Sequence, residues 1–409
     1  MIPVEEALRR VCAAVTPLPA EQVGLSEALG RVLTSDVAAR RTQPPNAVSA
    51  MDGYAVRAAD VAQLPAGLKV IGAVPAGAAF EGSVGPGEAV RIFTGAAVPD
   101  GADAIVIQEN TESGTEAGKG TVKVVDGHAP PGHYIRPAGL DFSEGDVLLN
   151  AGRVLTARDI GLCASMNLPW LAVRRKPRIA LLATGDEIVM PGDPVGSHQI
   201  ISSNALAVAS FIAASGGTST DLGIAPDSAD ALRAMAEGAH GADMLVTFGG
   251  ASVGDHDLVQ NVLGDIGLEV DFWKIAMRPG KPLIFGHIGP TLLLGLPGNP
   301  VSAVVCAAIF LGPALRVMLG IHGDAPPPRT ARLGNDLGEN DERQDYLRAT
   351  LALGPDGAPT ATVFEKQDSS VFSGLAHADC LVVRAPFAAP AKAGESVTII
   401  PLSGGILSI

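Results

Sequence analysis

The chain has 409 residues, of which 47% are apolar and 18% charged, and a formal net charge of −14. That length exceeds a single hydrophobic core and divides into roughly two to four domains. The acidic balance excludes a basic face for nucleic acid or an anionic membrane, so an anionic substrate has to be captured by locally clustered Lys, Arg, backbone N–H groups or a metal.

Residues 3–15 place Val4, Leu8, Val11 and Val15 at helical spacing and predict an amphipathic helix. A second short helix is expected over 25–33, followed by a Pro-rich connection, RTQPPNAVS, at 41–49. MIPVEEALRR lacks a basic start followed by an apolar run, so no signal peptide is expected. From about 68 to 149, short apolar runs separated by Gly and Pro (LKVIGAV, EAVRIFTGA, DAIVIQE, GTVKVV, DVLL) predict an all-β module. LTARDIGLCASMNL, 155–168, returns to helical periodicity with Thr156 as its N-cap. Packing of this helix beside the N-terminal ones would make the β module an insertion. Cys12, Cys163, Cys306 and Cys380 match no zinc spacing and sit among apolar neighbours, which predicts buried free thiols in a reducing, cytoplasmic setting.

From Arg178 the rhythm becomes strand, loop, helix. RIALLAT, DMLVTF and TLLLGL are near-continuous apolar runs of the kind found in parallel strands buried on both faces. Ser202, Ser203 and Asn204 open a helix closed by Gly216 and Gly217; a strand is expected over 218–224 and a helix over 228–238. Asn299 and Pro300 read as the N-cap and first residue of another helix. Alternation of this kind means right-handed crossovers and a parallel sheet. The longest uncharged stretch, 282–315, is broken by GHIGP and LPGNP, short of the ~20 apolar residues of a membrane helix. After Pro326, YLRATLAL, TATVFE, DCLVVRA and SVTIIP predict a small β barrel or sandwich. The expected architecture is α/β and multidomain: a discontinuous N-terminal linker and helical region (1–47 with 145–176), an inserted β module (48–144), a parallel-sheet α/β domain (177–324) and a C-terminal β barrel (325–409).

Ligands of open α/β sheets bind beyond the carboxyl ends of the strands. Three such ends stand out: RIALLAT runs into Gly185, Asp186 and Glu187, DMLVTF into GGASVGDHD (249–257), and TLLLGL into Pro297, Gly298 and Asn299. Glycines let backbone N–H groups approach phosphate oxygens, and a helix N-terminus adds the positive end of its dipole. One such turn reads first as a structural turn; three at corresponding ends of one sheet point to an anionic, phosphorylated ligand. Walker and dinucleotide spacings are absent. Asp186, Glu187, Asp255 and Asp257 on the same loops are either helix caps or ligands for a hard cation such as Mg²⁺. KIAMRPGK, with Lys274, Arg278 and Lys281, either lies on a solvated edge or reaches into the site as its positive charge.

PPNAVSAMDGYAVR, RIFTGAAVPDGADAIV, RPAGLDFSEGD, LLATGDEIV, ISSNA, GGASVGDHD, WKIAMRPGKPL and GLPGNPVSA, in this order across about residues 44–305, resemble the molybdopterin molybdenumtransferase family, which includes the E domain of gephyrin. The resemblance implies a homodimer of four-domain subunits converting adenylylated molybdopterin and molybdate into molybdenum cofactor and AMP with Mg²⁺. It implies site carboxylates at Asp186, Glu187 and Asp257, an acidic loop residue at Asp227, and phosphate contacts from Gly249, Gly250, Ser252, Gly254, Pro297, Gly298 and Asn299. Lys274, Arg278 and Lys281 would supply charge, and Arg343 and Arg348 would face the anion site, accompanied by Ser369 and Ser370. Asp52 and Thr94, and more weakly Asp141, resemble positions that a partner subunit contributes to the cleft. Three departures stand out. Phe248 occupies a position that is commonly small or hydroxylated, removing a hydroxyl donor near the phosphates though Ser252 remains, Ala251 replaces a more usual Val, and Arg278 replaces a frequent Lys. The alternatives are a non-catalytic pterin-binding scaffold of the same fold and a molybdopterin adenylyltransferase, which is also an expected pathway partner.

Overall fold

The structure, a computed structural model, describes residues 1–113, 120–249, 262, 264–265, 267–321, 329–354 and 357–402. The chain forms two compact units: Asp36–Asn150 with Asp159–Pro169, and Met1–Ser35 with Ala151–Arg158 and Trp170–Ile409.

The smaller unit is built on a six-stranded mixed sheet in the order Ala104–Ile107, Gly53–Val56, Glu88–Ile92, Ala66–Val74, Gly120–Val124, Thr111–Ser113. Strand pairing begins earlier than the apolar runs suggest, because the whole of Gly53–Val56 is buried between two neighbours. Gly53 is required there, since a Cβ would lie 2.0 Å from the carbonyl oxygen of Val106. Side chains alternate between two clusters, one around Tyr54, Val56 and Leu68 and the other around Ala55, Val90 and Ile105, as the period of a strand dictates.

In the larger unit, helix Val4–Ala13 buries Val4, Ala7 and Val11, with Glu5 and Glu6 in its first turn and Arg10 in its last, as the helix dipole favours. The expected helix over 25–33 shortens to a single 3-10 turn, Leu25–Glu27. Gly30 adopts a positive φ of 73° and the chain leaves to bridge Leu33 to Val173, so tertiary pairing overrides the weak helical period.

The central sheet runs Thr218–Ala225, Arg178–Thr184, Met244–Phe248, Thr291–Leu296, Ile284–Ile288, Leu268–Phe272. Its first four strands are mutually parallel, and Ile284–Ile288 pairs antiparallel with both of its neighbours. From Arg178–Thr184 the chain crosses first to one side and later to the other, which sets the topological switch point between Arg178–Thr184 and Met244–Phe248. All five residues of Met244–Phe248 are buried, the reason its sequence does not alternate.

Helices Asn204–Ala214 and Ala229–Ala236 accompany the sheet. Pro300–Cys306, a π-helical turn Ala307–Leu311 and Gly312–Met318 follow one another as a single apolar helix. This 19-residue helix is long and apolar enough to cross a membrane by composition alone, yet 67% of its most apolar 18-residue window is buried and its side chains form the core with Ile179, Val246 and Leu294. Cys163, Cys306 and Cys380 are buried, whereas Cys12 is half-buried. Burial pushes the Cys163 thiol up to about 11.

Arg329–Leu333, Gln344–Leu353, Pro359–Val363, Cys380–Arg384 and Ser396–Pro401 form a closed five-stranded barrel, because Gln344–Leu353 pairs with both Pro359–Val363 and Cys380–Arg384. Met277–Arg278, from the α/β region, adds a short parallel strand to its edge.

Candidate functional site

At the switch point two strand ends nearly touch. Gly249 has φ +90°, and a Cβ there would lie 3.1 Å from Thr184 Oγ1. Thr184 is 7% exposed and donates its hydroxyl to the Phe248 carbonyl at 3.2 Å. The amide of Gly249 donates to the Leu296 carbonyl at 3.2 Å, so the third strand end is drawn in as well. The loop continuing from Gly249 (Gly250, Ser252, Gly254, Asp255 and Asp257) lies outside the described residues. Phe248 corrects one expectation: it is 1% exposed and packs in the core, so a hydroxyl at this position would face apolar side chains rather than a phosphate.

Gly185 turns the chain out of the Thr184 strand end with φ +133°, and the Glu187 carboxylate folds over it, 2.3 Å from where a Cβ would stand. Asp186 Oδ1 accepts the amide of Asp227 at 3.2 Å, so two adjacent strand ends bring Asp186 and Asp227 together. Among the described residues no three His, Cys, Asp or Glu side chains form a metal-holding group. The donor set nevertheless suits Mg²⁺, a hard ion commonly held by one or two carboxylates together with substrate phosphates.

Asn299 occupies the N-cap position before Pro300 without making a cap, and the Ser202–Asn204 signal makes none either. Both amides are used elsewhere. Asn204 Nδ2 donates to the Gly298 carbonyl at 2.7 Å, and Asn299 Nδ2 donates to Ser369 Oγ at 2.8 Å. Ser369 also accepts the amide of Val301 at 3.1 Å through its carbonyl, so a barrel loop covers the first turn of this helix.

Arg348 was expected to face the anion site, and the structure puts it elsewhere. It is 1% exposed, with its guanidinium donated to Gln367 Oε1 (3.2 Å) and to the carbonyls of Asp368 (3.0 Å), Val371 (3.1 Å) and Lys366 (3.1 Å). It holds the Ser369 loop from beneath. Ser370 in turn donates its hydroxyl to Asp368 Oδ1 at 2.6 Å.

The cationic segment is clamped on both sides: Lys274 O accepts from Ile2 N, Ala276 N donates to Ile2 O, and Gln344 N donates to Ala276 O. Gly280 turns it with φ +115° against Cys306, whose sulfur would lie 2.4 Å from a Cβ. Lys274 Nζ stands 4.1 Å from the centre of the Trp273 ring. Among the described residues neither Lys274 nor Lys281 has a carboxylate partner, whereas Arg278 pairs with Asp341 and Asp345, and Arg343 pairs with Asp341. Sequence reasoning missed Asp341 and Asp345, although the alternation of Asp and Arg through NDERQDYLR was a signal for them.

In the smaller unit, Asp52 Oδ1 accepts both the amide (2.7 Å) and the hydroxyl (2.8 Å) of Thr94. The amide first, then the hydroxyl, hold its carboxyl below the usual aspartate range. Arg91 lies between the Tyr54 and Phe93 rings, 5.1 and 4.9 Å from their centres, and donates to the Gly53 carbonyl at 2.8 Å. Asp141 lines a separate groove of this unit with Asn46 and Arg136. Another groove, in the larger unit, is lined by Thr16, His240, Asp243 and Thr291, at the opposite end of the parallel strands from the glycine turns.

A doubly wound sheet with glycines, carboxylates and a helix N-terminus at its switch point, joined to a closed barrel, defines a multidomain α/β protein whose candidate ligand site lies at that switch point. The sequence matches the MoeA N-terminal region (domain I and II) over residues 2–167, a probable molybdopterin binding domain over 180–317, and the MoeA C-terminal region (domain IV) over 330–402. It is 34% identical to a molybdopterin molybdenumtransferase of Haemophilus influenzae, covering 95% of each chain, and 34% identical to that of Bacillus subtilis, covering 98% of this chain and 94% of the relative. The molybdopterin biosynthesis MoeA protein of Pyrococcus horikosii superposes with a TM-score of 0.85 at 31% identity, covering 99% of this chain and all of that one. The chain belongs to the molybdopterin molybdenumtransferase family, and it is a transferase of molybdenum cofactor biosynthesis.

Proposed function

We propose that the chain inserts molybdate into adenylylated molybdopterin and releases AMP, acting as a cytoplasmic homodimer. The observation that carries this reading is the convergence of the Gly185, Gly249 and Pro297–Asn299 strand ends at one switch point, with a segment bearing three cations packed through Gly280 against Cys306 of the helix that follows the third end. The ligand bears a pyrophosphate-linked adenylate. Gly250, Ser252, Gly254, Gly298 and Asn299 would offer backbone N–H groups to its phosphates, with Gly249 and Pro297 shaping the turns that bring them close, and the helix dipole would add to the attraction. Lys274, Arg278 and Lys281, with Arg343, would offset the charge of the polyanion and of the molybdate dianion in a chain that is otherwise acidic. Arg348 would contribute by fixing the Ser369 loop. Asp186, Glu187 and Asp257 would hold Mg²⁺, with Asp227 beside them. The bound ion would neutralise developing charge on the phosphates during cleavage of the adenylate bond. Asp52, kept ionised by Thr94, would complete the cleft from the partner subunit.

The test is direct: purified protein is given adenylylated molybdopterin, molybdate and Mg²⁺, and AMP is measured. No AMP above a protein-free control sinks the reading. Sedimentation at micromolar concentration tests the dimer, and co-purification with the adenylyltransferase of the same pathway tests that partner.

A further inference from the structure

Two arginines from different segments share one carboxylate. Arg278 Nη1 donates to Asp341 Oδ2 at 3.3 Å, and Arg343 Nη2 donates to the same oxygen at 2.6 Å. Arg343 adds its backbone amide (2.9 Å) and Nε (3.3 Å) to Asp341 Oδ1. Behind them lies Asp345, whose side chain is only 3% exposed. Its Oδ2 accepts from Arg278 Nη2, while its Oδ1 is buried and has no partner among the described residues. Asn340 Oδ1 takes the same Arg278 nitrogen at 3.3 Å. Arg278 is therefore pinned from the buried side by Asp345 and Asn340 and met on the open side by Asp341, which is 41% exposed.

The two carboxylates differ in what their removal from the arginines requires. Asp345 is desolvated, so separating it from Arg278 would strand a buried charge. Asp341 faces water, and its ion pairs are screened and weak. With all four groups ionised, the two Arg and two Asp sum to zero, so the unliganded cluster presents no net charge to an anion. One oxygen held between two guanidinium groups is also the arrangement that binds an oxyanion oxygen.

We propose that Asp341 is an internal stand-in for the oxyanion: it closes the Arg278–Arg343 pair until a tetrahedral dianion displaces it, while Asp345 stays in place as the anchor that positions Arg278. This rests on the reading that Arg278 belongs to the molybdate site. The displacement requires an anion that outcompetes a carboxylate for two guanidinium groups, which favours dianions over monoanions such as chloride. Asp341, a carboxylate across the neutral range in any case, is the competitor there, and the Arg343 side chain, then its amide, hold its carboxyl down at about 2.

The experiment is calorimetric titration of molybdate into the intact chain and into Asp341→Asn, which keeps the Oδ1 acceptor for the Arg343 amide. The expected result is tighter binding by Asp341→Asn, about three- to fivefold, with the gain abolished by adding Arg278→Ala. Unchanged or weaker molybdate binding in a folded Asp341→Asn overturns the proposal, as does a gain that survives Arg278→Ala. AMP release by the wild type is measured in parallel. Release without any gain in Asp341→Asn keeps the transferase reading and removes this one, whereas the gain without release supports this one and removes the other.

Discussion

Asn299 and Ser369 are joined by a 2.8 Å hydrogen bond between side chains, and the Ser369 carbonyl takes the amide of Val301 two residues further on. The first turn of the Pro300 helix is thus organised by a barrel loop rather than by its own N-cap residue.

Arg348→Met tests the support of that loop. The substitution leaves the carbonyls of Lys366, Asp368 and Val371 without their buried donor. The expected cost is about 3 kcal/mol of stability, from groups stranded without partners. Urea unfolding measures it, and a loss below about 1 kcal/mol contradicts the role.

Gly249→Ala tests the switch point. The φ of +90° disfavours any side chain, and the added methyl would press on Thr184 at 3.1 Å. A stability loss of about 1–2 kcal/mol is expected, with a larger proportional loss of AMP release. Full activity in the variant is incompatible with phosphates approaching this turn closely.

Thr94→Val removes a hydroxyl donor from Asp52 and leaves the amide donor in place. The Asp52 midpoint, now below the usual range, should move up towards it. Carbon-detected NMR titration reads the change, and an unchanged midpoint shows that the hydroxyl contributes nothing.

Acid sensitivity follows from Asp341, whose folded value of about 2 lies below its ordinary 3.8. A depressed carboxylate contributes stability that is present above the unfolded value and lost as pH falls through the folded one. The thermal midpoint of the wild type should therefore fall more steeply than that of Asp341→Asn between pH 4 and 2. Parallel curves across that window refute the linkage.

Asp186→Asn should raise the Mg²⁺ concentration for half-maximal AMP release about tenfold, because a neutral amide replaces a hard anionic donor. Asp257→Asn should impair AMP release far more than pterin binding. Equal losses of both functions in either variant would point to a structural role.

The parallel strands were legible because burial on both faces leaves runs such as RIALLAT without alternation, and the glycine turns because they follow those runs directly. The motif strings carried the family. What the sequence concealed was long-range spending of short side chains. Asn299 and Asn204 both read as caps, and only the fold reveals the acceptors, Ser369 and Gly298, that draw them away. Arg348 was expected from the resemblance to face the anion site, and nothing local tells a buried guanidinium from a free one. The alternation of Asp with Arg before Tyr346 was visible, but which Arg each Asp would meet depended on Met277–Arg278 joining the barrel. The 25–33 segment failed for the opposite reason: a plausible local helix lost to β pairing.

The edge strand Met277–Arg278 has a practical corollary for anyone dissecting the protein. Residues numbered within the α/β region pair with the first residues of a barrel strand, and barrel residues hold the arginine those same residues present. A truncation before Arg329 would leave Arg278 without its anchor and Val301 without its acceptor, so the isolated fragment would be a poor surrogate for the ligand site. Activity lost in such a fragment would report the loss of these contacts, and a cut placed by sequence alone would pass through the middle of one hydrogen-bonded piece.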